Sequence, residues 1–360
     1  MAERVAIVGS GLAALAAQAT LRHAGVRPAE IAVFGTHEDP TEVWQGRAAA
    51  IRQERMRSES EGHLAAAAWP GLALRDGPGA WLQTLANRYH PPVRLFLRHA
   101  ARVRDASGWD ASFRAGRVER IAAVDGGFEV DGDGPFRHVL VATGHPGLAL
   151  PDPYASDPRT VHAYEPHDYG SKVAIVGAGM AAAHEWLNAL AAGSEVQSIR
   201  RREPTRRPLN VPRPLLTKRG LEPYHRSTPE EHAATLRTLS QPSYPPGDAW
   251  DAPLRAAEAE GRLRVDDRLN GADQVICATG FREGWAHDPL LARLVAEHDL
   301  PTHDRWIVLA PDSTVAALTD ETRTLALAGV AAQWAFPAAD TIAGAKYAAR
   351  AFARRVCRSR

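Results

Sequence analysis

The sequence predicts an α/β protein of two doubly wound units, and three observations carry that prediction. Nearly the same stretch occurs twice, as VAIVGSGLAALAAQ from Val5 and as VAIVGAGMAAAHEW from Val173. Each copy opens with a short, wholly apolar run, the pattern of a strand buried inside a parallel sheet. Each then passes through Gly-x-Gly-x-x-Ala into an alanine-rich run suited to a helix. The chain of 360 residues is long enough for two domains with separate cores.

The elements follow in order. A strand over Val5–Val8, a helix over Leu12–His23 ending at Gly25 and a strand over Ile31–Phe34 make one βαβ unit of about thirty residues. From Thr36 to Pro78 the chain reads mostly as loop with short helices. Helices are expected over Ala80–Arg88 and Leu95–Val103. A β-rich patch covers Val118–Val124, Phe128–Val130 and Arg137–Ala142, with DGG and DGDG as hairpin turns. The Pro-rich stretch Gly144–Pro158 is a linker candidate. Val173–Val176, Ala181–Ala192 and Val196–Arg200 repeat the opening strand, helix and strand. A Pro-punctuated segment, Pro204–Pro246, contains a helix at Pro229–Leu239. Strands at Gln274–Ala278 and Leu325–Ala328 and a last helix, Asp340–Val356, complete the chain.

Composition narrows the function. The formal net charge is +1, so no global field draws the protein to nucleic acid or an anionic membrane. The two cysteines, Cys277 and Cys357, form no CxxC, which excludes a dithiol redox centre and a cysteine-based zinc site. The histidines show no HExxH spacing, so no metal is expected. No run of roughly 18 apolar residues marks a membrane span. Gly9 and Gly11 interrupt the apolar N-terminal run, which reads as strand, turn and helix rather than signal peptide. The default location is cytoplasmic.

The doubled turn has a chemical meaning. In Gly9-x-Gly11-x-x-Ala14 and Gly177-x-Gly179-x-x-Ala182, the first glycine makes the turn and the second lets backbone approach a pyrophosphate. The alanine lets helix pack on strand. A pyrophosphate then sits on free N–H groups at the helix N-terminus. A tight βα turn without a ligand is the plainer reading. Two such turns, each between a short apolar strand and a helix, point instead to two Rossmann-like domains and two dinucleotides. Beyond the second unit's strand stand Arg200, Arg201 and Arg202, where arginine accommodates the 2′-phosphate of NADPH; a solvated basic loop is the alternative. The first site is then left for FAD. Its second strand ends in Phe34-Gly35 where an acid would hold the ribose, and the nearest acids are Glu38 and Asp39.

Together these features resemble the two-dinucleotide-binding-domain flavoproteins, in particular their flavin-containing monooxygenase branch. The resemblance runs in order through VAIVGSGLAA, Trp44, VLVATGHPGLALP (Val139–Pro151), VHAY (Val161–Tyr164), KVAIVGAGMAA, VICATGF (Val275–Phe281) and LALAGV (Leu325–Val330). It implies an FAD domain over residues 1–150 plus 285–360 and an NADPH domain over 160–284. A small helical, Pro-rich insertion at about 204–262 belongs to the second. Ala142-Thr143-Gly144 and Ala278-Thr279-Gly280 match the segments that cross between domains. FAD would be held by Gly9, Ser10, Gly11, Ala14, Trp44, Ser58, Thr143, Gly144 and Gly329. NADPH would be held by Gly177, Ala178, Gly179, Met180, Ala182 and the three arginines. Two departures stand out: Thr41-Glu42-Val43 replace the usual glycines before Trp44, and the monooxygenase fingerprint is unmet. His162 aligns with the fingerprint's histidine, but Pro158 and Pro166 occupy its glycine and aromatic positions.

Candidates for chemistry are fewer. In RMRSESEG (Arg55–Gly62), Arg57 would hold anionic reduced flavin and Ser58 would bond its ring; a charged helix start explains the same residues. Asn210, in the Pro-rich segment, is a polar contact for nicotinamide or substrate, or a turn residue. Trp334 and Phe336 line the flavin pocket or pack the core. The resemblance implies an FAD- and NADPH-dependent monooxygenase using molecular oxygen on a small-molecule nitrogen, sulfur or carbonyl centre, through a flavin peroxide. Its rivals are an NADPH-dependent flavin reductase serving a protein or quinone acceptor, and a non-catalytic NADPH-binding protein of the same fold.

Overall fold

The computed structural model describes residues 4–57, 77–85, 90–207 and 209–358. Two five-stranded sheets, parallel throughout, organise the chain. The first contains β1 (Val5–Val8), β2 (Ile31–Gly35), β3 (Phe113–Ala115), β7 (His138–Val141) and β13 (Thr324–Leu327) in the order β13-β7-β1-β2-β3. Val5 lies opposite both Ile31 and His138, so β1 is central and its four residues are fully buried. Between β3 and β7 an antiparallel meander, β4 (Ile121–Val124), β5 (Gly127–Val130) and β6 (Asp133–Phe136), leaves the sheet. Asp131 and Gly132, both at positive φ, turn β5 into β6.

Helix α1 (Leu12–His23) covers the first sheet and packs on the chain's last helix. Small residues permit the contact: Ala14 and Ala17 on α1 share a core with Ala345, Ala348 and Ala349. Among the described residues, α2 (Glu42–Ala50), α3 (Pro78–Leu85) and α4 (Val93–Ser107) follow β2, with one further helical turn at Trp109–Ser112 before β3. Arg88, at the end of the helix expected over Ala80–Arg88, lies outside the described residues.

The second sheet repeats the plan. Strands β8 (Thr160–His162), β9 (Lys172–Val176), β10 (Glu195–Ile199), β11 (Leu263–Asp266) and β12 (Gln274–Cys277) run in the order β11-β10-β9-β12-β8. Helix α5 (Met180–Ala191) joins β9 to β10. Between β10 and β11 the chain makes α6 (Lys218–Arg226), α7 (Pro229–Leu239) and α8 (Asp248–Ala259). Thr228 and Glu231 cap α7 reciprocally, and Pro229 fits its first position. The first two helices of this insertion dock on the first domain. Leu221, Tyr224, Ala233 and Leu236 share a core with Trp334, Ala335 and Phe336, and the His232 ring stacks 4.3 Å from Trp334.

Two crossovers link the sheets, and they pair with each other. Leu148 bridges Phe281 antiparallel, Ala149 N–H donates to the Gly280 carbonyl at 3.1 Å, and Arg282 N–H donates to that of Gly147 at 2.9 Å. The second crossover leads to α9 (Pro289–His298), then back through β13 to α10 (Ile342–Arg358). Among the described residues no helix is long and apolar enough to cross a membrane.

Candidate functional site

Both glycine turns sit where a strand end meets a helix start. At the first, Gly9 has φ +111°, and its N–H donates to the Phe34 carbonyl at 2.7 Å. A Cβ there would lie 2.2 Å from the Ala142 carbonyl oxygen, so only glycine fits. At the second, Gly177 has φ +134°, and a Cβ would lie 2.4 Å from the Ala278 carbonyl oxygen. The parallel is physical: each ATG crossover presses a backbone carbonyl against its turn. Ala14 and Ala182, both wholly buried, give the close helix–strand packing expected of the third position.

The helix starts are equally alike. Gly11 caps α1 and Gly179 caps α5; neither supplies a side-chain bond, and neither first turn carries an acid. Thr217, Thr228 and Asp288 cap α6, α7 and α9 with side-chain oxygens, whereas α2, α4 and α8 likewise start without a side-chain cap. What sets α1 and α5 apart is the Gly-x-Gly turn between strand and helix in front of each. The first-turn N–H groups of α1 and α5 thus receive no side-chain cap, and a helix start of this kind following a glycine turn can receive a phosphate. Around the first turn, space is open at Gly11 and at Gly144, which has φ +78°. Gly329, at φ +64°, stands over α1 with the Ala13 Cβ 4.0 Å from where its own would be. Ala178 and Met180 are half-buried beside the second turn. Pyrophosphate geometry thus fits both turns.

The ribose end of the first site is different. A Cβ on Gly35 would fall 2.2 Å from Ser10 Oγ, so the Ser10 side chain fills the space an acid would need. Ser10 Oγ in turn accepts from the His37 N–H at 3.2 Å. The two acids nearest in sequence are already engaged. Glu38 pairs with Arg104 at 3.3 Å, and Asp39 accepts from both the N–H and hydroxyl of Thr41. The polar pair left at this edge is His37 with Glu42, 3.0 Å apart, a pairing that the sequence reading missed because Glu42 lies across the turn into α2.

Other expected contacts take definite places. Trp44, on α2, is half-buried and packs edge-on to Phe96 at 5.0 Å, against the core that α1 shares with the last helix. The Thr143 hydroxyl donates to Asp288 Oδ2 at 2.6 Å, and Asp288 caps α9, so this side chain ties the crossover to the first domain. Arg57 reaches across the domains. Its guanidinium donates to the carbonyls of Ser243 and Arg207, both at 2.9 Å, and to Ser243 Oγ at 3.0 Å. Burial, reinforced by Arg207 and opposed by Asp340, holds its pKa down at about 10. Ser58 lies outside the described residues, as does Pro208. Asn210 is half-buried in a bend beside Val211, which belongs to the core shared by insertion and first domain.

The three arginines divide. Arg201 and Arg202 are exposed, whereas Arg200 turns inward, its guanidinium 5.6 Å from the Trp186 ring centre and 2.9 Å from Glu203. Arg206, six residues on, lines the same hollow as Arg200. It was legible as part of one arginine-rich run, but the run alone does not say which members face inward.

At the domain junction the Phe281 ring stacks on His145 at 3.9 Å and on Tyr164 at 5.2 Å, with the Arg47 guanidinium 4.5 Å away. Burial and the nearby Arg47 charge push the His145 pKa down to about 4, so this imidazole is neutral near pH 7. His162 Nε2 lies 3.0 Å from the Gly280 carbonyl, on the same crossover.

Two glycine turns at bare helix starts, on two parallel sheets joined by paired crossovers, define the architecture. This is the fold of the two-dinucleotide-binding-domain flavoproteins. Solved structures of that kind superpose over nearly the whole chain. The ornithine hydroxylase of Pseudomonas aeruginosa matches 99% of this chain and 100% of its own, with 17% identity and a TM-score of 0.71. The FAD-bound cadaverine monooxygenase of the desferrioxamine pathway from Erwinia amylovora matches 99% and 94%, with 12% identity and a TM-score of 0.74. The bacillithiol disulfide reductase of Bacillus cereus matches 98% of both chains, with 16% identity and a TM-score of 0.60. No protein-family model matches the sequence, and no curated protein matches it. Against this flavoprotein fold, Cys277 is buried in β12 and Cys357 lies on α10, so the chain carries no cysteine pair for disulfide chemistry.

Proposed function

We propose that the protein is an FAD- and NADPH-dependent monooxygenase that inserts oxygen at the nitrogen of a small amine. The observation that carries the proposal is the matched pair of uncapped helix starts, each facing a glycine turn on its own sheet. FAD would lie on the first turn, held by Gly9, Ser10, Gly11, Gly144 and Gly329, with His37 and Glu42 at its ribose in place of a strand-end acid. NADPH would lie on the second, held by Gly177, Gly179 and Arg200–Arg202, with Arg206 added to the phosphate contacts. When bound, FAD supplies the capacity to accept hydride from NADPH and to pass two electrons to oxygen.

The chain's own part is positioning. The paired crossovers fix the two sheets relative to each other, and the stack of Arg47, Phe281, His145 and Tyr164 packs the junction between the turns. Nitrogen is favoured over sulfur or carbonyl because two of the structural relatives are named for amine substrates. The lack of a cysteine pair weighs against a disulfide reductase.

The balanced reaction converts amine, NADPH, a proton and O₂ into hydroxylamine, NADP⁺ and water. Ornithine, lysine and cadaverine supplied with ¹⁸O₂ test it. One labelled oxygen in a hydroxylamine for each NADPH consumed is the expected result. NADPH oxidation that yields only hydrogen peroxide with every amine, sulfide and ketone offered would favour a reductase.

A further inference from the structure

The end of α2 reaches into the second domain. Ile51, which closes that helix, is 2% exposed and belongs to one core with Ala163, Ile175 and Trp186. Asn188 Nδ2, on α5, donates to the Ile51 carbonyl at 2.8 Å. Arg52 follows at φ +49°, and its guanidinium lies 4.4 Å from the centre of the Tyr169 ring. Tyr169 belongs to the loop 163–171 between β8 and β9, and its hydroxyl donates to Glu185 Oε2 at 2.9 Å. Glu185 stands on α5 one turn before Asn188 and is wholly buried. Its other oxygen has no partner among the described residues, so the carboxylate depends on the donors at Oε2.

One side chain in this joint calls for a charge on geometry alone. His167 Nδ1 lies 2.7 Å from the Glu165 carbonyl oxygen, and its Nε2 lies 3.0 Å from Glu185 Oε2. A carbonyl and a carboxylate only accept, and a neutral imidazole has a single N–H. An imidazolium satisfies both. His162, on β8, shows the opposite pattern: its Nδ1 accepts the Tyr164 N–H at 3.1 Å and its Nε2 faces the Gly280 carbonyl, which a neutral ring satisfies. The side chains of His167 and Glu185 are 3% and 0% exposed, so each buried ion is compensated chiefly by the other. Burial lowers the His167 pKa, but the bonds to Glu185 and the Glu165 carbonyl outweigh it and raise the value, against the Arg52 charge. Of the remaining charges nearby, Asp168 is exposed and the Glu165 carboxylate turns back to the His162 N–H. Burial and Glu185 raise the Tyr169 pKa, so His167 is the member of this cluster that titrates above neutrality.

We propose that His167 is a positioning residue for the transfer of hydride from NADPH to FAD. As an imidazolium it fastens the loop 163–171 to α5, seats Tyr169 beneath Arg52 and so holds α2 against the second domain. Helix α2 begins at Glu42, the residue placed at the FAD ribose, and α5 begins at the NADPH turn. Their joint therefore sets how the two dinucleotides approach. That consequence rests on the FAD–NADPH reading above, and the joint itself does not. Loss of the proton leaves Glu185 buried without its cation and turns a ring lone pair toward an acceptor, so the joint loosens.

Two readouts on the full chain, taken from about pH 6.5 to 9, test the proposal. The first is hydrogen exchange without cofactor, corrected for its intrinsic pH dependence, in peptides covering 46–53 and 163–171. The second is the anaerobic rate at which NADPH reduces bound FAD. Both wild-type peptides should be protected at the acid end and lose protection together as pH rises through the raised His167 value. The loss should reach roughly tenfold per pH unit, the slope of one proton. The limiting reduction rate should fall over the same interval while the Kd for NADPH holds. His167→Gln and Glu185→Gln each remove the ion pair, and either one, shown to be folded by thermal unfolding, should make both profiles flat. Wild-type protection that ignores pH, or pH dependence retained in a folded variant, overturns the proposal. So does a loss confined to 163–171, since α2 is then not held through this pair. If exchange behaves as expected but NADPH leaves the flavin oxidised, the cofactor reading fails and the joint stands. If NADPH reduces the flavin at a rate indifferent to the loosened joint, the cofactor reading stands and the positioning role falls.

Discussion

Ser10 and Gly35 meet at the ends of β1 and β2 so closely that a Cβ on residue 35 would lie 2.2 Å from the Ser10 hydroxyl oxygen. The strand end that would carry a ribose-binding acid is closed to every side chain, and Ser10 is what closes it. Gly35→Ala should cost about 1–3 kcal/mol through overpacking, read by urea unfolding. Adding Ser10→Gly should recover most of that loss, because the two residues share one space. Additive effects of the two substitutions would show that the contact does not explain Gly35.

Arg57 is a staple between domains in this structure, since its two terminal guanidinium nitrogens donate to Ser243 and Arg207. Arg57→Lys keeps the charge but loses the planar fork. It leaves at least one buried carbonyl short of a partner, for about 1–3 kcal/mol. A lower thermal midpoint with an unchanged flavin reduction potential is the expected pattern. Unchanged stability with a shifted potential would instead return Arg57 to the flavin-contacting role its sequence position suggested.

The arginines should set cofactor choice. Replacing Arg200, Arg201 and Arg202 together by Ser should raise KM for NADPH far more than for NADH. The structure adds Arg206, so Arg206→Ser alone should move KM in the same direction. Equal effects on both cofactors would remove the 2′-phosphate assignment.

Stability should fall on both sides of neutrality, for opposite reasons. Burial pushes His138, His145, His184 and His232 down to about 4. The unfolded chain binds those protons near pH 6.5, so stability present above that value is lost as pH drops toward 4. His167 goes the other way. Burial depresses it, but its bonds to Glu185 and the Glu165 carbonyl outweigh burial and raise it. Its contribution is present below pH 6.5 and is lost as pH rises through the raised value. Unfolding free energies measured from pH 5 to 9 should show both limbs, and Glu185→Gln should flatten the alkaline one.

Much of this architecture was legible because it rests on local rules. Glycines between a short apolar strand and an alanine run announce βα turns, and both turns appear where the doubled sequence put them. The helix expected at Pro229–Leu239 is present with those bounds, and the structure shows why it starts there, in the reciprocal cap of Thr228 and Glu231. Helix α8 was not expected, because Pro253 lies inside it and reads as a breaker. What escaped depends on contacts distant in sequence. Arg57 and Ser243 are 186 positions apart, and nothing in either segment names the other. Docking of α6 and α7 on Trp334 and Ala335 is likewise invisible until the chain is folded. The inward turn of Arg200 depends on Trp186, one helix earlier.

The most direct test of the account is an anaerobic absorption measurement on purified protein supplied with FAD. NADPH should bleach the bound flavin band rapidly and NADH slowly. Oxygenated buffer should then restore the band through a transient spectrum that matches neither oxidised nor reduced flavin. Protein that retains no flavin, or flavin that NADPH leaves oxidised, would contradict the assignment of the two turns to a working FAD–NADPH pair.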